Sequence, residues 1–324
     1  MRPVTVLATG GTIAMRGEQA IPASDARDLV GEALPGGAPP ELELRDLMNR
    51  PGPQITLEDA LSIARAAWKC ADGGRGVVVT CGTDTMEELA LLTDLGHDAS
   101  APIVFTGANR PGSHPGADGA ANLADAIAVA ADEAIAGVGA VVVFGGEIHA
   151  AHAVTKVDTT GPAAFGSPQC GPFGRVVGGV PWLAARPRRP LAVVRPERLD
   201  GRVEIVSAFL GADGAALQRS ADAADGVVAA VLGAGHVPPA FLSSLRVVAA
   251  RLPVVIVSRV ARGGMLLGTY GFEGSERDVR DSGAIAAGML TAAAARIKLL
   301  ACMGAGLDRA SVAAAFAGDD VARA

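Results

Sequence analysis

Aromatic side chains are scarce in this chain: they make up 3% of its 324 residues, and Tyr270 is the one tyrosine. The interior must therefore be built from Ala, Val, Leu and Ile, because half of all residues are apolar. That composition is globular and excludes a disordered chain. Positive charge is also scarce. The net charge is −6, and no basic run extends beyond Arg186-Pro187-Arg188-Arg189, so no nucleic-acid-binding face is expected. No stretch reaches about 18 consecutive apolar residues, so no transmembrane helix is expected. The apolar segment after Met1-Arg2-Pro3 is too short for a secretory signal and runs into a motif that cleavage would remove. A cytoplasmic protein is the expectation. The four cysteines, Cys70, Cys81, Cys170 and Cys302, are widely spaced without a C-x-x-C pair and are expected as free thiols.

What the chain does have is alternation. Valine-rich runs at Val4–Ala8, Gly76–Cys81, Pro102–Phe105 and Ala140–Phe144 predict buried strands. Between them lie helical patterns. Thr56 suits an N-cap, with Glu58 and Asp59 in the first turn, and Leu57, Leu61, Ala64 and Trp68 recur on one face. Further helices are predicted over Asp84–Leu95 and Ala117–Ala131. The expected fold is α/β with two domains. The larger N-terminal one, residues 1–183, carries a mostly parallel sheet with helices on both faces. A Pro- and Arg-rich linker is expected over 184–202, then a smaller α/β domain over 203–324. Its strands are predicted at Val203–Ala208, Gly226–Leu232 and Pro253–Ser258, with helices near Pro238–Leu252 and Thr291–Met303.

In an open parallel sheet, ligands bind at the carboxyl ends of the strands. The first strand leads into Thr9-Gly10-Gly11-Thr12-Ile13-Ala14. A later one leads into Thr80-Cys81-Gly82-Thr83-Asp84-Thr85-Met86-Glu87-Glu88. The strand near 142 leads to Glu147-Ile148-His149 and then Val154-Thr155-Lys156. Hydroxyls, a carboxylate and a lysine are thus offered to one crevice, which suits acyl transfer. A threonine hydroxyl needs a neighbouring base, and a desolvated lysine can accept a proton. Backbone N–H groups after Gly82 can hold an oxyanion, and Gly10-Gly11 lets the backbone approach a ligand closely. Plainer readings stand beside this one. Thr83 and Asp84 suit a helix cap equally well. Lys156 could be a solvated loop residue, although Ala150 to Val154 are apolar for a loop. Thr-Gly-Gly-Thr could bind phosphate, but no G-x-G-x-x-G or G-x-x-x-x-G-K-[ST] pattern is there. His149 and His152 are too few for a usual zinc site, so no metal is expected. Cys81 reads as packing rather than as a nucleophile.

These motifs resemble those of the bacterial L-asparaginase and glutaminase-asparaginase family. The first two runs above match its first and second motifs. Phe105-Thr106-Gly107-Ala108-Asn109-Arg110-Pro111 and Asp118-Gly119-Ala120-Ala121-Asn122-Leu123 are similar to its connecting motifs. Val154-Thr155-Lys156, with Thr159-Thr160 and Gly171-Pro172-Phe173-Gly174, resembles its third. Gly233-Ala234-Gly235-His236 and Tyr270-Gly271-Phe272 continue the match in family order.

The resemblance implies hydrolysis of L-asparagine to L-aspartate and ammonia. Thr12 would be the acylated nucleophile, and Thr83, Asp84 and Lys156 a second triad, with Asp84 also meeting the substrate amino group. Gly11, Gln54 and Gly82 would bind substrate. No metal or organic cofactor is implied. The partners implied are a small amino-acid amide and further copies of the chain, as a dimer or tetramer with the site near a subunit interface.

The chain departs from the family at several points. Its loop Met15-Arg16-Gly17-Glu18-Gln19-Ala20-Ile21-Pro22 has no tyrosine to support the nucleophile, which leaves water, Tyr270, or an acid such as Glu273 or Glu276 from a neighbouring subunit. Pro51-Gly52-Pro53-Gln54 lacks the serine of a Ser-Gln pair. Cys81 replaces a histidine, Gly145-Gly146 an Asn-Asp pair, and His236 an asparagine. An amidase for another small amide, or an amino-acid-binding protein without catalysis, remain the alternatives. The binding protein would need no nucleophile–base set.

Overall fold

The computed structural model describes residues 1–317 apart from 18, 35, 37–40 and 188–193. These fall into two compact units, Met1–Arg189 and Pro190–Ala324. Within the expected linker, residues 188–193 lie outside the described residues, as do 318–324 of the expected second domain. The described parts of 184–202 carry neither helix nor strand.

The first unit opens with β1 (Val4–Gly10), a 3-10 turn at Thr12–Ala14, the ribbon β2 (Met15–Arg16) and β3 (Ile21–Pro22), and α1 (Ala26–Ala33). Then come β4 (Leu42–Arg50), α2 (Leu57–Asp72), β5 (Gly76–Thr80), α3 (Met86–Leu95), β6 (Ile103–Thr106), α4 (Gly119–Ala131) and β7 (Ala140–Phe144). β8 (Glu147–Ala150) turns back on β7, while β9 (Thr155–Lys156) and β10 (Phe165–Gly166) pair, among the described residues, only with each other. β11 (Gly174–Val177) and β12 (Val180–Leu183) close the unit. The eight-stranded sheet runs β12-β11-β8-β7-β6-β5-β1-β4. It is parallel from β4 to β7 and antiparallel from β8 outward.

Strand alternation explains the layers. Val4, Val6, Val78, Val104, Val141 and Val143 face α1 and α4, packing on Leu29, Leu123, Ala126 and Ile127. α2 and α3 pack on β5, β6 and β7. Central strands covered on both faces are valine runs, as a parallel sheet requires. α2 starts as expected: Thr56 and Asp59 form a capping box, and the Trp68 indole N–H donates to the Thr93 carbonyl at 2.8 Å.

Several features differ from expectation. α1, β8, β11 and β12 had no counterpart among the predicted elements, and α4 begins at Gly119 rather than Ala117. α3 begins at Met86 rather than Asp84, with Thr85 as its N-cap. And β4 was not foreseen, because Leu42-Glu-Leu-Arg-Asp-Leu-Met-Asn-Arg50 is a half-exposed edge strand rich in charge.

The second unit holds a four-stranded parallel sheet, β13 (Val203–Ser207), β14 (Gly226–Val231), β15 (Val254–Ser258) and β16 (Ile285–Ala286). Its helices are α5 (Ala215–Ala221), α6 (Pro239–Arg251), α7 (Glu276–Arg280), α8 (Ala292–Gly304) and α9 (Arg309–Ala317). Here α5, α7, β16 and α9 had no counterpart among the predicted elements. Among the described residues no helix is long and apolar enough to cross a membrane.

Candidate active site

The carboxyl ends of β1 and β5 lie side by side, and glycine lets the chains leaving them touch. Gly11 has φ +81°, and a Cβ there would collide with the Gly82 backbone. A Cβ on Gly82 would stand 2.7 Å from the Gly52 Cα and nitrogen. Three loops therefore meet backbone to backbone. Thr12 follows one contact point and Thr83 the other. Gln54 ends the 3-10 turn Gly52–Gln54 and is exposed.

Lys156 comes to the same place from β9. Its ammonium donates to Thr83 Oγ1 at 2.8 Å and to Asp84 Oδ1 at 2.7 Å. Thr83 is buried, Lys156 largely so, and Asp84 faces solvent. The capping reading of Thr83 and Asp84 is thereby replaced, since neither caps α3 and both meet the lysine. The Lys156 backbone N–H is also taken: it donates to Glu87 Oε2 at 2.6 Å. A hydroxyl, an amine and a carboxylate in hydrogen-bonded sequence can pass a proton along the chain.

The connecting motifs are scaffold. The Asp118 carboxylate accepts from the backbone N–H groups of Asn109 and Arg110 at 3.1 and 2.9 Å. Asn122 donates to the Gly107 carbonyl at 3.0 Å and accepts the Gly145 N–H at 3.0 Å. Gly145-Gly146 is a two-residue hairpin turn with φ of +58° and +75°, where left-handed backbone is needed at both positions. In the loop after Thr12, Arg16 donates to the Ile13 and Met15 carbonyls and pairs with both oxygens of Glu32, tying that segment to α1. Glu18 lies outside the described residues.

Cys81 is buried, and burial drives its thiol pKa far upward, which suits packing rather than nucleophilic attack. His149 is buried in β8, with Nδ1 3.1 Å from Ser167 Oγ and Nε2 3.4 Å from Glu147. Among the described residues no group of three His, Cys, Asp or Glu is placed to hold a metal ion.

In the second unit, Glu276 is buried and Glu273 exposed. One Glu276 oxygen accepts the N–H groups of Thr269 and Tyr270, and the other faces His236 Nδ1 at 3.5 Å. Burial works to raise the Glu276 pKa. The N–H donors of Tyr270, Glu276 itself and Thr269, with the nearby His236, outweigh it, and the pKa is lowered. The His236 ring lies 5.2 Å from both Tyr270 and Phe272.

Residues 3–188 match the N-terminal asparaginase domain family, and residues 202–316 match the glutaminase/asparaginase C-terminal domain family. The chain belongs to the asparaginase family. It is an asparaginase-type amidohydrolase, similar over nearly its whole length to curated relatives. It is 37% identical to the protein named "Probable L-asparaginase" of Deinococcus radiodurans, covering 97% of this chain and 96% of that one. It is 33% identical to L-asparaginase 2 of Escherichia coli K12, covering 91% and 87%. The solved thermostable L-asparaginase of Thermococcus kodakarensis superposes with a TM-score of 0.87 at 28% identity, over 98% of this chain and 99% of that one. Glu87 is the residue sequence reasoning left without a role. Its place four residues after Thr83, in the same run, was the available signal.

Proposed function

We propose that this amidohydrolase converts L-asparagine to L-aspartate and ammonia through a covalent intermediate on Thr12. The Thr12 Oγ attacks the side-chain amide carbon. Its proton passes to the leaving nitrogen, the C–N bond breaks, and ammonia departs from an acyl ester. Water then adds to the ester carbon, and the ester bond breaks to return the Thr12 hydroxyl and release aspartate. Lys156 exchanges a proton with the reacting groups through Thr83. Asp84 steadies the ammonium form and meets the substrate amino group. Backbone N–H groups after Gly82 hold the oxyanion, since the Gly11 N–H is already donated to the Arg50 carbonyl at 2.9 Å, and Gln54 reaches the substrate carboxylate. The observation that carries this reading is Lys156 held 2.8 Å from Thr83 Oγ1 and 2.7 Å from Asp84 Oδ1 beside the loop of Thr12.

The remaining support for Thr12 is assigned to Glu276 from a neighbouring copy in a dimer or tetramer, because Glu276 is a buried carboxylate with its pKa lowered. We place the protein in the cytoplasm. Likeness (25% identity, TM-score 0.83) to a Campylobacter jejuni structure described as a probable cytoplasmic L-asparaginase supports this.

The test is ammonia release from L-asparagine, L-glutamine and D-asparagine at saturating substrate. Turnover of L-asparagine is expected, with a preference over L-glutamine of about 1–3 kcal/mol per methylene. No turnover, with thermal stabilisation by L-aspartate, would replace the reading by a binding protein. Turnover of neither amide and no stabilisation would point to another small amide, for which Pro51-Gly52-Pro53 is the specific difference.

A further inference from the structure

Lys156 sits on a strand with little else to hold it. β9 is two residues long and is not part of the large sheet; β10 is its one strand partner among the described residues. The ribbon is held through the Val157 and Asp158 N–H groups, which donate to the Ala164 carbonyl. The Lys156 N–H points away from that ribbon and would be an open donor. Glu87, in the first turn of α3, accepts it at 2.6 Å. Thr83 and Asp84 lie just before the same helix and accept the Nζ of the same lysine. One five-residue stretch thus grips Lys156 at both ends, at the backbone through Glu87 and at the amine through Thr83 and Asp84.

We propose that Glu87 is a positioning residue of the amidohydrolase reaction: its carboxylate fixes the backbone of Lys156 so that Nζ reaches Thr83 and Asp84 together. The role rests on the assignment of Lys156 to catalysis. The physical reason is leverage. A lysine side chain has four rotatable bonds, so a rotamer change can follow one partner when the backbone moves, but not two partners at fixed distances. A misplacement of about 1 Å at a reacting group costs on the order of 100-fold in rate. The bond requires an acceptor oxygen and not a negative charge, so the amide of glutamine can replace the carboxylate.

The experiment compares the full-length wild type with Glu87→Gln and Glu87→Ala, by steady-state kinetics and by NMR of the protein labelled with 13C-lysine. The chain's lysines are Lys69, Lys156 and Lys298, so the Lys156 signal is readily assigned. Glu87→Ala is expected to lower kcat by about 10- to 100-fold with KM within about threefold. Its Lys156 signal should shift while that of Lys69 stays in place. Glu87→Gln is expected to keep most of the rate and the wild-type Lys156 signal. Wild-type kinetics and an unmoved Lys156 signal in Glu87→Ala would overturn the proposal. Equal losses in Glu87→Gln and Glu87→Ala would overturn it too, by showing that charge and not the bond matters. A wild type without turnover on any amide would sink the asparaginase reading instead. The NMR comparison would then still decide whether Glu87 holds Lys156.

Discussion

Gly11 and Gly82 touch backbone to backbone, and that contact joins the loop that continues into Thr12 to the one that continues into Thr83. Gly11 has no room for a Cβ and a backbone that L side chains rarely adopt. Gly11→Ala and Gly82→Ala should each cost at least about 2 kcal/mol and remove activity. Gly52→Ala meets its nearest atoms at an ordinary 3.4–3.6 Å and has no positive φ. It should cost less than about 1 kcal/mol. Chemical denaturation of the three variants checks this. Equal losses would mean that the three-loop contact does not govern the site.

Thr12→Ala and Lys156→Met separate chemistry from binding. Thr12→Ala should lower ammonia release by about 10³-fold or more while L-aspartate still stabilises the fold. Lys156→Met keeps side-chain volume but removes the amine held by Thr83 and Asp84. It should lower kcat by about 10²- to 10⁴-fold. Normal turnover in either variant would remove that residue from the mechanism.

The thiols should divide by burial. Cys170 is exposed, so a thiol reagent should label it in the native protein. Cys81 should react only after denaturation, because it is buried and its thiol pKa is pushed up. Cys81→Ala should retain turnover within about threefold. Loss of activity on native labelling at Cys81 would contradict this.

His149 should make stability depend on pH. Burial is the largest cause and lowers its pKa; Glu147 opposes it in part. The unfolded chain therefore binds the proton more readily than the folded one. The stability is present in full above the unfolded value of about 6.5 and is lost as pH falls toward the depressed folded value. Tm should decline below about pH 6.5, and His149→Gln should flatten that decline. Asp59 and Glu276, also lowered, add their own losses only below about pH 4.5. A parallel decline in wild type and His149→Gln would exclude His149 as the source.

Much of this was legible in the chain itself. The runs Val77–Val79 and Val141–Val143 can only be buried strands, because nothing but a covered sheet hides three valines in a row. Thr56 and Asp59 announce the start of α2 by their spacing, because a capping box is a local bond pattern. The glycine pairs marked the places where chains must approach closely.

Position three residues short of a helix said nothing of whether Thr83 would cap or react; that depended on Lys156, which is 73 residues away. β4 escaped notice because an edge strand hides too little surface to pattern its sequence. The sequence alone determined the buried valine strands and the helices between them, the glycine junctions and the candidate residues, since these follow from local sterics and periodicity. Only the tertiary structure decided that Thr83, Asp84 and Glu87 converge on Lys156, because contacts between distant strand ends depend on how the sheet is ordered.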